Sequence, residues 1–405
     1  MKFRLIAKKI LTFVFILQAK LILAKYKPKI IVVTGSVGKT SAKSALYNVL
    51  RQFDSVRKNI TKGNSYQIAL TIIGASDKWF KSLIKGFFIL IFKEKYPHYL
   101  ILEIACRRPG ELEEILPWLP IDFAIVTYFG MVPPHIEFFD SRKHLIEEKL
   151  KILQNLKKGG TVILNADSPD FNFIKEKIRA QIVTFGFDAG DVRGGNLQII
   201  YESNLPTGIN FRIDYGGNSV PVNIKGALGR AHVYAYLAAL AFAYKNNFNM
   251  VLASQSAANY DAPWGRMKLL AGLKDSLIID DSYNSSPSAL EEAITALSEI
   301  KTTGRKIAVL GDMLELGRES HDVHIRLGEL AGKTIDFLIT VGSRARGISL
   351  GASVKLKSSQ IMQFEKNDEV IEYLKNLIKP GDLILVKGSR AMRLEEVVKI
   401  LSKAP

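Results

Sequence analysis

Ile30-Ile31-Val32-Val33-Thr34-Gly35-Ser36-Val37-Gly38-Lys39-Thr40-Ser41 reads as a β-branched run, a loop with two glycines and the start of a helix, and that order decides the fold. Ile30 to Val33 predicts a buried strand. The helical pattern after the loop runs to about Leu50. A Gly-x-x-Gly-Lys-Thr loop between strand and helix is the setting of a phosphate-binding loop. Gly35 and Gly38 let the backbone curl so that N–H groups point at phosphate oxygens. Lys39 reaches the terminal phosphates, Thr40 offers a hydroxyl to Mg²⁺, and the helix N-terminus adds partial positive charge. The usual spacing would place a glycine at position 33, where Val33 stands, so the loop is the shorter Thr-Gly-x-x-Gly-Lys-Thr form.

Outward from the loop, Tyr99 to Glu103, Phe123 to Thr127 and Thr161 to Leu164 are further short apolar runs, with a helical pattern from about Arg142 to Leu156. Strands alternating with helices predict a mostly parallel sheet. Asn210 to Tyr215 and Ser219 to Ile224 alternate around Gly216-Gly217-Asn218, a hairpin signal. An alanine-rich helix covers about His232 to Tyr244. Pro263-Trp264-Gly265 breaks the pattern and marks a domain boundary. A second alternation follows. Strands are expected at Leu277 to Asp280, Lys306 to Leu310, Phe337 to Val341 and Leu383 to Val386. Helices are expected at Ser288 to Glu299, His321 to Ala331, Asn367 to Leu377 and Arg393 to Leu401. The fold class is α/β: a central phosphate-loop domain over 29–263, then a smaller doubly wound α/β domain over 264–405. Polar clusters at Asp280-Asp281, Gly311-Asp312 and Lys387-Gly388-Ser389 fall where its ligand site belongs.

The net charge of +17 favours anionic partners. The lysines are scattered with no basic tract, which argues against nucleic-acid binding. The lone cysteine, Cys106, excludes an intrachain disulfide and points to a reducing compartment, the cytoplasm. Arg107 and Arg108 would lower its pKa, although a packed cysteine is the plainer reading. Residues 1–28 form a basic, apolar helix. The run from Ile10 to Ala24 is interrupted by Lys20 and falls short of the roughly 20 apolar residues a span needs. Two readings stand: a helix in peripheral contact with a membrane through residues 1–27, or a helix packed on the domain behind it.

Magnesium asks for more oxygen ligands than Thr40 supplies. Glu103 ends an apolar run beside the loop, where a carboxylate is costly without a cation. His135, in Pro133-Pro134-His135, sits at the same edge.

TGSVGKTS from Thr34, GNSYQIAL from Gly63, LEIACRRPGEL from Leu102 and NAD from Asn165 resemble the Mur ligase family. IIDDSYNSSPSAL from Ile278, AVLGDMLELGRES from Ala308 and LVKGSRAMRLEEVV from Leu385 resemble its branch that adds D-alanyl-D-alanine. The resemblance implies an ATP-dependent, amide-forming ligase acting through an acyl phosphate. Its substrates would be a UDP-sugar peptide of peptidoglycan synthesis and a dipeptide. It implies that Thr34, Gly35, Ser36, Val37, Gly38, Lys39, Thr40 and Ser41 hold ATP. Asn284 would stand near the adenine, with Arg266 at the domain boundary. Thr40, Glu103 and His135 would be magnesium ligands, and Lys149 would support a second metal once carbamylated. Asn64, Arg230, Asp312, Glu315, Lys387, Ser389 and Arg390 would face the substrates. Three features depart from the family pattern. Only about 28 residues precede the first strand, where a nucleotide-binding domain is usual. Ala231 stands for the histidine of Gly-Arg-His-Asn, and the glycine usual after the glutamate motif is replaced in Glu103-Ile104-Ala105-Cys106. These bear on substrate recognition, so a ligase for another acceptor is the alternative; a nucleotide switch without amide chemistry is a third reading.

Overall fold

The computed structural model describes residues 2–60, 63–75 and 78–403. Its first sheet takes β1 (Lys29–Thr34), β2 (Val56–Lys58), β3 (Tyr99–Glu103), β4 (Ile121–Val126), β5 (Leu156–Asn165), β6 (Gln181–Gly186), β7 (Val192–Glu202), β8 (Leu205–Tyr215) and β9 (Asn218–Lys225). The order is β2-β3-β1-β4-β5-β6-β7-β8-β9. Neighbours from β2 to β7 are parallel, and β7-β8 and β8-β9 are antiparallel. The helices that accompany it are α1 (Lys2–Tyr26), α2 (Lys39–Leu50), α3 (Ser65–Ile73), α4 (Trp79–Ile91), α5 (Arg142–Leu150), α6 (Phe171–Glu176), α7 (Arg230–Lys245) and α8 (Met250–Gln255).

Every β1 position after Lys29 is buried, as a continuous β-branched run requires when both faces of a parallel sheet are covered. Side chains alternate between faces. Ile31 and Val33 join Leu46, Val49, Leu237 and Phe242 of α2 and α7. Ile30 and Val32 join Phe15, Ile22, Ile68, Ile72 and Ile146 of α1, α3 and α5 on the other side.

The second sheet takes β10 (Lys268–Ala271), β11 (Leu277–Asp281), β12 (Lys306–Gly311), β13 (Phe337–Val341), β14 (Ile361–Phe364) and β15 (Leu383–Lys387), in the order β10-β11-β15-β12-β13-β14. Only β10-β11 is antiparallel. Its helices are α9 (Pro287–Glu299), α10 (Ser320–Gly332), α11 (Arg346–Ala352), α12 (Asn367–Leu377) and α13 (Glu395–Leu401). The α/β class with a large mostly parallel sheet and a smaller doubly wound one is as the sequence predicts. The change of sheet falls between Lys225 and Lys268, an interval that contains Pro263-Trp264-Gly265.

Two boundaries differ. The helix expected to reach Leu156 ends at Leu150, and Lys151–Asn155 tightens into a 3-10 turn. There Asn155 donates to the Leu119 and Leu116 carbonyls, which turns the chain into β5. The last helix starts at Glu395 rather than Arg393, because Arg393 takes a left-handed φ of 51°. The N-terminal helix packs: Phe15, Ala19, Ile22 and Leu23 of α1 are buried. Among the described residues no helix is long and apolar enough to cross a membrane.

The carboxyl edges of the two sheets face each other. Ser288 of α9 lies against Gly130, which follows β4; a Cβ on Gly130 would come within 2.6 Å of its hydroxyl. The His135 imidazole of the first part contacts the Glu315 carboxylate of the second.

Candidate active site

The loop between β1 and α2 lies where the strand order changes direction, with β3 on one side of β1 and β4 on the other. Open α/β sheets bind ligands at such a point. Gly35 adopts φ 129°, and a Cβ there would lie 2.2 Å from the Thr127 hydroxyl, so only glycine lets the loop close on β4. Gly38, at φ 84°, starts α2. The Thr127 hydroxyl donates to Val37 O at 2.7 Å. The Ser36 and Val37 N–H groups, expected to point at phosphate, donate instead to Tyr128 O at 2.9 and 3.0 Å. That leaves the first turn of α2 as the amide array for an anion, since those N–H groups lack intrahelical acceptors. Lys39 Nζ bridges the Gly35 and Ser36 carbonyls at 2.7 and 2.9 Å, inside the loop it would neutralise.

Glu103 ends β3 with 1% exposure. The Thr40 hydroxyl lies 3.0 Å from both its oxygens. Lys43, one turn after Lys39, supplies the cation at 3.0 Å and also donates to Asn59 O at 2.9 Å. Asn59 locks the backbone of Glu103 through two reciprocal hydrogen bonds of 2.9 Å. A hydroxyl and a carboxylate oxygen side by side fit Mg²⁺, which takes one or two protein oxygens and completes its shell with phosphates and water.

Lys149 of α5 is 2% exposed and donates to Cys106 O, three residues past Glu103, at 2.7 Å. Burial lowers its pKa from 10.5 to about 8. The expectation that arginines lower the Cys106 pKa fails: burial pushes the thiol up to about 11. His135, at a left-handed φ of 71°, is engaged with Glu315. Among the described residues no three His, Cys, Asp or Glu side chains cluster as a metal site.

Across the cleft, Asn284, Arg266 and Ser286 line a narrow recess of about 40 Å³ with Ser36, Lys39, Thr40 and Glu103. Arg390 N–H donates to Asn284 Oδ1 at 3.2 Å. The Arg266 and Arg390 guanidinium groups lie 4.5 and 5.3 Å from the Tyr283 ring, and Arg390 also lies 5.3 Å from Trp264. Asp312 accepts from Ala345 N–H at 2.7 Å, and Ser389 accepts from Leu314 N–H at 2.9 Å. Lys387 is 1% exposed and pairs with Asp281 at 2.5 Å, so it ties β15 to β11 rather than presenting a free cation. Asn64 caps α3 by accepting from Gln67 N–H at 3.0 Å.

A larger cleft of about 570 Å³ opens on the other side of Val37 and Gly38. Asn165, Asp167, Phe185, Arg230, Tyr234 and Glu292 line it. Burial, reinforced by the charge of Asp281, raises the Glu292 pKa to about 7. His232 beneath is neutral, held down to about 4 by burial, with Arg266 O 2.7 Å from Nε2.

The Mur ligase middle-domain model matches residues 33–243, more than half of the chain. The chain belongs to the Mur ligase family. The model for the Mur ligase glutamate ligase domain matches residues 265–390. The UDP-N-acetylmuramoyl-tripeptide–D-alanyl-D-alanine ligase of Bacillus subtilis is 28% identical, over 96% of this chain and 79% of the relative. That of Escherichia coli is 26% identical, over 93% and 77%. The crystal structure of the MurF ligase of Thermotoga maritima in complex with ADP superposes with a TM-score of 0.79 at 26% identity, covering 96% of this chain and 83% of that one. ATP-dependent amide-bond formation goes with membership of the Mur ligases.

Sequence reasoning missed Lys43, Asn59, Thr127 and Glu292. Lys43 carried one signal, a lysine one turn beyond Lys39 on the same helix. Asn59 follows a three-residue strand too short for any pattern.

Proposed function

We propose that this Mur ligase adds D-alanyl-D-alanine to a UDP-N-acetylmuramoyl-tripeptide, in the cytoplasm, where its nucleotide substrates are made. The observation that carries the reading is the Thr40 hydroxyl on the Glu103 carboxylate beside Lys39, facing Arg266 and Asn284 of the second domain. Similarity to ligases of that name over more than nine tenths of the chain supports the substrates. We divide the chain into an N-terminal helix over 1–28, a central domain over 29–263 and a C-terminal domain over 264–405.

A carboxylate and an amine in water only exchange a proton. Transfer of the γ-phosphoryl group of ATP to the carboxylate gives an acyl phosphate, which the amine attacks with loss of phosphate. Lys39 and the first turn of α2 neutralise the phosphates and hold them in line. Thr40 and Glu103 would hold Mg²⁺, which stabilises the charge that develops on the transferring phosphoryl oxygens. His135 adds to this edge through Glu315, which draws the second domain onto the first. Asp312, Glu315, Ser389 and Arg390 line the approach of the amine, and Arg230 the large cleft. Closure excludes water, which would otherwise hydrolyse the acyl phosphate.

Lys149 is suited to carbamylation, because only a neutral amine attacks CO₂. A pKa of about 8 leaves roughly a quarter of it neutral at pH 7.5, against about a thousandth at 10.5. The carbamate would place an anion where the lysine now donates to Cys106 O.

The test is phosphate release from ATP with the muramoyl-tripeptide nucleotide and D-alanyl-D-alanine, each alone and together. The reading expects release only with both. No release from the pair, in protein that binds ATP, would move the activity to another acceptor.

A further inference from the structure

Two helices of the first domain carry an outward face that the ligase chemistry does not use. On α1, Ile10, Phe13, Leu17 and Leu21 follow one another at helical spacing and are exposed, Phe13 to 68%. On α4, Phe80, Ile84, Phe87 and Ile91 do the same, Ile91 to 72%, flanked by Trp79, Phe88 and Phe92. The two helices run side by side in the same direction. Gln18 Nε2 donates to Leu83 O at 3.1 Å, and Lys25 Nζ reaches the carbonyls of Ile89, Leu90 and Phe92 at 2.8–2.9 Å. A Cβ on Gly86 would come within 2.3 Å of the Gln18 amide, so a side chain there would push aside the group that bonds Leu83 O. The stripes are therefore held by the fold in one rigid unit, each helix burying its other side.

A monomer seldom leaves so much aromatic and branched surface in water. The charges around it indicate what covers it. Segments 2–27 and 78–93 contain no aspartate or glutamate at all, and lysines at 9, 20, 78, 81 and 93 stand exposed among the apolar side chains. A second copy of the chain would bring the same positive charge to the contact. An anionic bilayer instead offers negative headgroups to the lysines and hydrocarbon to the phenylalanines, with Trp79 suited to the boundary between them. Because neither helix can span, the contact is peripheral.

We propose that the joined outer faces of α1 and α4 dock this protein on the surface of an anionic membrane. This goes beyond the ligase reading and does not depend on it. The probe is flotation of the full chain with vesicles of phosphatidylcholine alone and with one third phosphatidylglycerol, at low and high salt, beside sedimentation velocity without lipid. The paired substitution Phe87→Glu, Ile91→Glu removes apolar contact, and Lys78→Glu, Lys81→Glu removes charge. ATP binding reports that each variant is folded, since none of these side chains lines either cleft. The expected result is binding to the anionic vesicles, weakened by salt, cut at least about tenfold by the first pair and roughly fivefold or more for each reversed lysine. Absence of flotation with anionic vesicles, equal binding to both vesicle types, or a dimer in lipid-free solution that the same variants dissociate would each overturn it.

Discussion

Replacing Lys149 with methionine should make the protein more stable at neutral pH while removing activity. In the unfolded chain the ammonium keeps its proton up to about pH 10.5, whereas in the folded chain burial lowers the pKa to about 8. Between those values the unfolded state binds more protons, so the stability of the native protein rises with pH across the window. Below pH 8 the full penalty applies. A gap of roughly 2.5 pH units corresponds to about 3 kcal/mol. Methionine removes that penalty but leaves Cys106 O without its 2.7 Å donor, at a cost of about 1–2 kcal/mol. The variant should therefore gain about 1–2 kcal/mol at pH 7 and be less stable than the native protein by about 1 kcal/mol at pH 10.5. Urea unfolding in CO₂-free buffer at both pH values measures this. Activity with both substrates should fall at least about tenfold if the carbamate supports a metal. A variant that is less stable at pH 7, by the same margin at both pH values, would refute the reasoning about burial. Full activity would refute the role of the carbamate.

Lys43→Met strands the Glu103 carboxylate in a buried site and should lower stability by about 3–5 kcal/mol in urea unfolding. Adding Glu103→Leu should restore most of that loss without restoring turnover. His232, neutral in the fold with a pKa of about 4 against 6.5 in the unfolded chain, should cost stability as pH falls from 6.5 to 4. His232→Gln should flatten that part of the acid unfolding curve, removing up to about 3 kcal/mol of loss at pH 4.

Many of the strands and helices that carry a repeating apolar pattern were legible. The run Ile30 to Val33 is buried on both faces, and α12, expected at Asn367 to Leu377, lies there. The short strand β2 and the edge strand β14 were not, because three or four residues hold no period. The basic helix at the start was legible; its packing partner α4 was not anticipated. In the site, the loop, Glu103 and the polar ends of β11, β12 and β15 could be read because each sits at the carboxyl end of a predictable strand. What could not be read was pairing. That Lys387 is consumed by Asp281, that Lys43 neutralises Glu103, and that Ser36 and Val37 spend their N–H groups on Tyr128 depend on strands far apart in sequence. The Arg142–Leu156 pattern overran for the same reason: Asn155 is drawn out of the helix by carbonyls at positions 116 and 119.

The central claim is that Lys39, Thr40 and Glu103 enclose the triphosphate of ATP and its magnesium. Titration of the protein with ATP in the presence and absence of Mg²⁺, repeated with Lys39→Ala, addresses it most directly. Saturable, magnesium-dependent binding that weakens by two orders of magnitude or more without the ammonium is predicted, on the order of 3 kcal/mol. Equal binding by both proteins, or none by either, would contradict it.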